Sequence, residues 1–436
     1  MSSRFVVIGK DIETDEPVAI DADARARSTY LIGIQGTGKS TVLEQMAFQD
    51  IMNGDGLIFL DPHGDSVARL LQSMPMEQAR RVVFWDPQDD DCAFGVNPFY
   101  CQDRKAIDRT ADRFISALAS TADFHETFQT APRMKDLLHH LALAFVVNQG
   151  RTLVEAPKFL TDALFRREFY PALSGDYAHV REYWEDVDRR SPREQHELMD
   201  SSLNKLRPFQ RDLLMRKMFR QPVPSLNFRR LMDERACVLV NLNPEPRLGD
   251  ENASFLGAFI IFDILAAALS RNDLEPADRH RFHVIADEFQ TYMSTAFSSL
   301  ISEGRKFGVD VTVAHQYRAQ ITSEKTRGAT LAVGNLVVFR VNPEDGRELA
   351  GAFDLTPPEA LPSGVQHKYN YAPSPLDHIA ERGHDDPRVL DAYRAMQEVC
   401  RELINPLRVI GNDPQSIMRQ ANTAELFRGI SQHTTG

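Results

Sequence analysis

Residues 30–41 read Tyr30-Leu31-Ile32-Gly33-Ile34-Gln35-Gly36-Thr37-Gly38-Lys39-Ser40-Thr41, and this stretch decides the fold. Gly33 and Gly38 bracket four residues, and Lys39-Ser40 follow at once. Glycines at these points let the backbone curl so that successive N–H groups point inward at phosphate oxygens. The helix that opens behind them adds the positive end of its dipole. In such a loop Lys39 reaches the β- and γ-phosphates and the Ser40 hydroxyl sits on Mg²⁺. Gly33, Gly36, Thr37, Gly38 and Thr41 complete the phosphate cradle. The flanks agree: an apolar run precedes the loop and an amphipathic helix begins near Lys39. The expectation is a strand–loop–helix that binds a nucleoside triphosphate with Mg²⁺.

A second site says what the nucleotide is for. Phe282-His283-Val284-Ile285-Ala286-Asp287-Glu288 is a short apolar strand ending in two adjacent acids. On its own an Asp-Glu pair also suits a solvated helix start. Beside a P-loop, Asp287 is placed to hold the Mg²⁺ shell and Glu288 to orient and deprotonate an attacking water. Helical spacing follows at Met293, Phe297, Leu300 and Ile301, which predicts one buried face. Gly308 then reads as a helix stop, and residues 309–314 as another strand. Residues just beyond strand C-termini line the ligand crevice of a doubly wound sheet. That rule puts Gln316 near the γ-phosphate as a sensor or water-positioning group, and brings Asp61 to the same crevice. His63 reads as a loop histidine without chemistry, and the basic set Lys205, Arg207, Arg211, Arg216, Lys217, Arg220, Arg229 and Arg230 as either a solvated helix face or a nucleic-acid contact.

Five ordered motifs, GIQGTGKST, FLDPHGD, HVIADEF, SEGRKFG and VTVAHQY, resemble the HerA–FtsK superfamily of DNA-pumping ATPases. Within it they are most similar to the conjugative coupling ATPases of type IV secretion systems. The resemblance covers roughly residues 1–355. It implies an α/β fold: a RecA-like P-loop motor with a mostly parallel central sheet, plus an all-α inserted domain. It further implies a homo-hexameric ring that hydrolyses ATP at subunit interfaces and moves DNA through its channel by backbone contacts. Lys39, Ser40, Asp287 and Glu288 match the family's ATPase core, and Gln316 its sensor. Arg305 matches an arginine that resembles a finger reaching the neighbouring subunit's nucleotide; by position alone it is a cation at a helix C-terminus.

The sequence departs from the membrane-anchored members of that family. The segment before the P-loop is polar and acidic (Asp11, Glu13, Asp15, Glu16, Asp21, Asp23). The most apolar stretch, residues 253–269, is interrupted by Asp263 and short of the roughly eighteen uninterrupted apolar residues of a membrane span, so it reads as a buried core helix. With no signal peptide pattern, the expectation is a cytoplasmic protein without a direct membrane span, partnered by a secretion channel and relaxase or by a nuclease.

Composition agrees. A chain of 436 residues, 42% hydrophobic, buries a large core in about two to three domains. Four widely separated cysteines (Cys92, Cys101, Cys237, Cys400) form neither a zinc signature nor a disulfide frame. A net charge of −12 excludes DNA binding by the whole outer surface but not by a channel. The expected organisation is a first motor part over 1–95 with an entry hairpin, an all-helical insertion over 96–234, a second motor part over 235–356, and a proline-rich linker with a short helical tail over 357–436. Three functions remain open at this point: a DNA translocase for conjugative transfer, the same motor working with a nuclease in defence or repair, and an ATP-binding assembly scaffold.

Overall fold

The computed structural model describes residues 5–11, 14–90, 93–121, 128, 131–351 and 353. Its strands, in chain order, are β1 Phe5–Lys10, β2 Pro17–Asp21, β3 Thr29–Ile32, β4 Gly56–Asp61, β5 Val82–Trp85, β6 Cys237–Asn241, β7 Phe282–Ala286, β8 Val309–His315 and β9 Asn335–Val338. β1 and β2 form an antiparallel hairpin. The remaining seven make one sheet in the order β5-β6-β4-β7-β8-β3-β9. Every residue of β3, β4, β7 and β8 is buried. Strands covered on both faces need near-continuous apolar runs and take parallel neighbours, and the pairs β3–β8, β3–β9, β4–β7 and β7–β8 are parallel.

Two helices tie the hairpin and the loop into this sheet: α1 Ala22–Arg25 and α2 Lys39–Asn53. The chain leaves β3 through α2 and returns at β4, with β7 and β8 lying between the two strands. The C-terminal ends of β3, β7 and β8 therefore lie side by side, which is where a doubly wound sheet places its ligand. α2 buries Leu43, Met46, Ala47 and Ile51 and ends at Gly54, whose left-handed backbone (φ 79°) lets its N–H close on the Asp50 and Ile51 carbonyls. Gln49 on α2 holds the hairpin through both backbone groups of Val7, at 2.9 and 2.8 Å.

Toward the amino-terminal ends of β7 and β8, at the far end of α2 from the loop, charge is buried in pairs. Arg25 makes a bidentate contact with Asp50 at 2.5 and 2.6 Å. His283 on β7 and Asp310 on β8 are cross-strand neighbours whose side chains meet at 2.9 Å. Attraction from Asp310 and Asp50 outweighs the burial that pushes the other way, and the His283 imidazole is held above its ordinary range.

By backbone proximity the chain groups into two compact units. Of the described residues, the first takes those within 5–82, 232–240 and 267–353, the second those within 83–231 and 241–266. Among its described residues the second unit is chiefly helical, including Ile107–Ala119, Pro132–Val147, Ala178–Arg189 and Pro192–Arg211. An aromatic cluster fills it: Phe99 against Phe114, Phe145 against Phe159, and Phe159 edge-on to Trp184, at 4.8 to 5.2 Å between centroids. The helix Asp250–Ser270 carries the apolar stretch seen in the sequence. It is long and apolar enough to cross a membrane by length and composition, yet 67% of its most apolar window is buried within the protein. Asp263, the interrupting acid, pairs with Arg113 at 2.7 Å. Burial raises its carboxyl above the usual range, and Arg113 counters that.

One local expectation is corrected. Met293 does not belong to the helix of Phe297 and Leu300, which begins only at Thr295 behind a separate turn, Phe289–Tyr292. The proline-rich passage and the expected helical tail lie outside the described residues, as do Cys92 and Cys400.

Candidate active site

The loop between β3 and α2 is built by glycine. Gly36 and Gly38 have positive φ, 76° and 97°, and a Cβ at Gly36 would meet nothing within 4 Å. A Cβ at Gly33 would lie 2.5 Å from Phe339 Cβ, so this glycine is required by the close approach of the segment after β9. No side chain caps α2 at Gly38. A helix N-terminus left open beneath a curled glycine loop is an anion site in waiting, so the cradle fits a polyphosphate.

Lys39 is 5% exposed and turns back onto the loop, donating to the carbonyls of Gly33 (2.7 Å) and Ile34 (3.2 Å). Burial lowers the affinity of its amine for a proton, and the charges of Glu288 and Asp287 oppose that. The Ser40 hydroxyl donates to Asp287 Oδ2 at 2.6 Å. Burial is the main force on the Asp287 carboxyl, pushing it up to about 6; Ser40 pulls it down and the neighbouring Glu288 charge pushes it further up. A hydroxyl and a buried carboxylate sharing one proton-bearing contact are the hard oxygen donors that Mg²⁺ takes.

Glu288 is 9% exposed, with left-handed backbone at φ 39°, ψ 49°. Gln316, the first residue past β8, donates from Nε2 to Glu288 Oε1 at 3.0 Å. The structure thus brings Lys39, Ser40, Asp287, Glu288 and Gln316 to one edge of the sheet. Behind them His315 is fully buried, in contact with the Tyr30 hydroxyl and edge-on to Phe289. Burial drives the His315 imidazole down to about 3, so it stays neutral and serves as packing between β3 and β8. Asp61 spends both oxygens on backbone, accepting from His63 N–H and Val67 N–H at 2.9 Å, and shapes the loop after β4.

Arg305 is not with the others. It lies in the turn Gly304–Phe307 that precedes β8, at the opposite end of that strand from Gln316. Seven strand residues at about 3.3 Å each put roughly 20 Å between the two ends. Its turn is braced by Arg271, donating to the Phe307 carbonyl at 2.9 Å, and by Arg279, donating to the Lys306 carbonyl. Arg305 itself is exposed and among the described residues makes no ion pair. Of the basic set at 205–230, Lys217 is held by Asp90 at 2.7 Å.

Sequence reasoning missed two residues. Tyr292 donates to the Asp287 and Leu60 carbonyls, and Gln290 donates to Glu288 Oε2 at 2.8 Å. The only signal available was their nearness to the acidic pair.

Fold and site together define a P-loop α/β protein of RecA-like architecture. Solved structures similar to the chain are conjugative coupling proteins and a VirB4. Bacterial conjugative coupling protein TrwBdeltaN70, in an unbound form, is 17% identical at a TM-score of 0.56, over 79% of this chain and 75% of that one. Plasmid coupling protein TrwB in complex with ADP and Mg²⁺ is 17% identical at 0.53, over 76% and 73%. VirB4 of Thermoanaerobacter pseudethanolicus is 12% identical at 0.53, over 80% and 88%. At these identities the likeness shows the fold. No family model matches the chain, and no curated protein matches it by sequence.

Proposed function

We propose that the chain is an ATP-hydrolysing motor of the type IV secretion kind, working as a homo-hexameric ring that moves DNA for conjugative transfer. The observation that carries this reading is the convergence of Lys39, Ser40, Asp287, Glu288 and Gln316 at the carboxyl edge of β3, β7 and β8. In the proposed reaction Lys39 leaves the Gly33 and Ile34 carbonyls and binds the β- and γ-phosphates, with the loop N–H groups around them. Ser40 and Asp287 would hold Mg²⁺, which would supply positive charge against the phosphate oxygens. Glu288 takes a proton from water as the water oxygen attacks the γ-phosphorus and the bridging P–O bond to the β-phosphate breaks. Gln316 keeps the Glu288 carboxylate in place and senses the γ-phosphate. The similar solved structures support this reading: one is a conjugative coupling protein and another, a plasmid coupling protein, holds ADP and Mg²⁺.

The ring is supported by Arg305. Its end of β8 faces away from its own loop, so an arginine finger there serves a neighbouring subunit. Motor part, helical insertion and second motor part, 1–95, 96–234 and 235–356, are the proposed working divisions. DNA contact is proposed through phosphates, without base readout, since a translocating motor passes every sequence.

ATP turnover by purified chain of known oligomeric state, with and without single- and double-stranded DNA, tests this reading. Turnover stimulated by DNA and abolished, with nucleotide binding, by Lys39→Ala is the expected result. Turnover by a ring indifferent to both forms of DNA would overturn the motor and favour an ATP-bound scaffold.

A further inference from the structure

The turn after the acidic pair grips Glu288 from two directions. Its backbone occupies the left-handed region, φ 39° and ψ 49°, which L-residues with long side chains enter at a cost. Such an outlier persists where its surroundings over-determine it. Here the buried Tyr292 hydroxyl reaches the carbonyl oxygens of Asp287 at 2.5 Å and Leu60 at 3.0 Å. The Asp287 N–H donates to the same Leu60 oxygen at 3.2 Å, and Thr291 N–H closes on the Glu288 carbonyl at 2.9 Å. The backbone is fixed by the turn. The side chain is fixed separately, by Gln316 on Oε1 at 3.0 Å and by Gln290 on Oε2 at 2.8 Å.

We propose that Gln290 is a positioning residue for hydrolysis, acting through Glu288; this rests on the reading of Glu288 as the proton acceptor. A carboxylate offers about four lone-pair sites, and two amide donors fill one on each oxygen, leaving the others for water. Held by Gln316 alone, the carboxylate is tethered at one oxygen and swings about that contact. The Gln290 amide removes the swing and sets the plane of the group. The Gln290 Nε2 faces a carboxylate oxygen that only accepts, so the amide is oriented with its nitrogen toward Glu288.

Gln290→Met and Gln290→Glu keep the length of the side chain and remove the donated hydrogen bond. For both, kcat for ATP is expected to fall about tenfold to a hundredfold while KM stays within about twofold, as for loss of one hydrogen bond to a charged group. Thermal midpoints stay within a few degrees of the unsubstituted chain. In a Glu288→Gln background, followed by single-turnover phosphate release, Gln290→Met is expected to change the rate less than about twofold, because the group it positions is gone. Near-normal kcat in both single variants overturns the proposal, as does an equal loss in both backgrounds. Full turnover by Glu288→Gln itself would instead overturn the reading of Glu288 on which the proposal stands.

Discussion

The site's most informative residue is Asp287, because its burial makes a sign prediction. Its carboxyl is raised to about 6 from an ordinary 3.8. The neutral form is therefore favoured in the folded, ligand-free chain; this stabilisation is complete below about pH 4 and lost as pH rises through about 6. A shift of that size corresponds to about 3 kcal/mol. In the proposed site Mg²⁺ would bind the ionised carboxylate and reverse the sign. The increase in thermal midpoint produced by Mg²⁺ with ADP is therefore expected to be larger at pH 7.5 than at pH 5.5. An increase independent of pH would contradict Asp287 as a metal ligand. At this scale the sequence was most legible where phosphate chemistry imposes spacing: Gly33, Gly38, Lys39 and Ser40 stand at intervals that few other tasks require. Gln290 and Tyr292 were not legible. Their roles depend on the left-handed turn at Glu288, which no residue type announces, and they otherwise resemble ordinary members of an apolar–polar run.

Among the elements, the strands of the sheet were readable because burial on both faces demands near-continuous apolar runs, as in residues 57–60 of β4 and 284–286 of β7. The helix after β7 was partly misread, since apolar spacing from Met293 onward continued across a turn that breaks the helical path. The buried charges were not readable at all: Arg25 and Asp50 are 25 residues apart, and His283 and Asp310 are 27 apart on separate strands. Sequence patterns report which face is apolar, whereas these pairs exist only once β7, β8, α1 and α2 are assembled. Their consequence is mechanical, because Asp50 lies on α2, the helix whose first turn closes the phosphate loop. Arg25 also lies 3.8 Å from Asp310, so Arg25→Met takes a cation from both buried acids, and breaking such a pair costs about 3–5 kcal/mol. Chemical denaturation of the variant checks this. A loss below about 1 kcal/mol would mean that His283 alone satisfies both acids.

For the whole molecule, a net charge of −12 confines any DNA path to a local surface. The decisive arrangement is the distance along β8 between Gln316, beside the nucleotide loop, and Arg305, braced at the far end and exposed. In the proposed motor one chain carries the cradle, the metal donors and the water-activating acid and offers its arginine elsewhere, so hydrolysis would belong to a pair of neighbours. Mixing Glu288→Gln subunits with Arg305→Ala subunits tests this most directly. Each variant alone is expected to bind ATP and not turn it over. In a random equal mixture about one interface in four joins an intact Glu288 to an intact Arg305, and turnover returns to about that fraction. No recovery, with mixed rings demonstrated, would contradict a site shared between subunits.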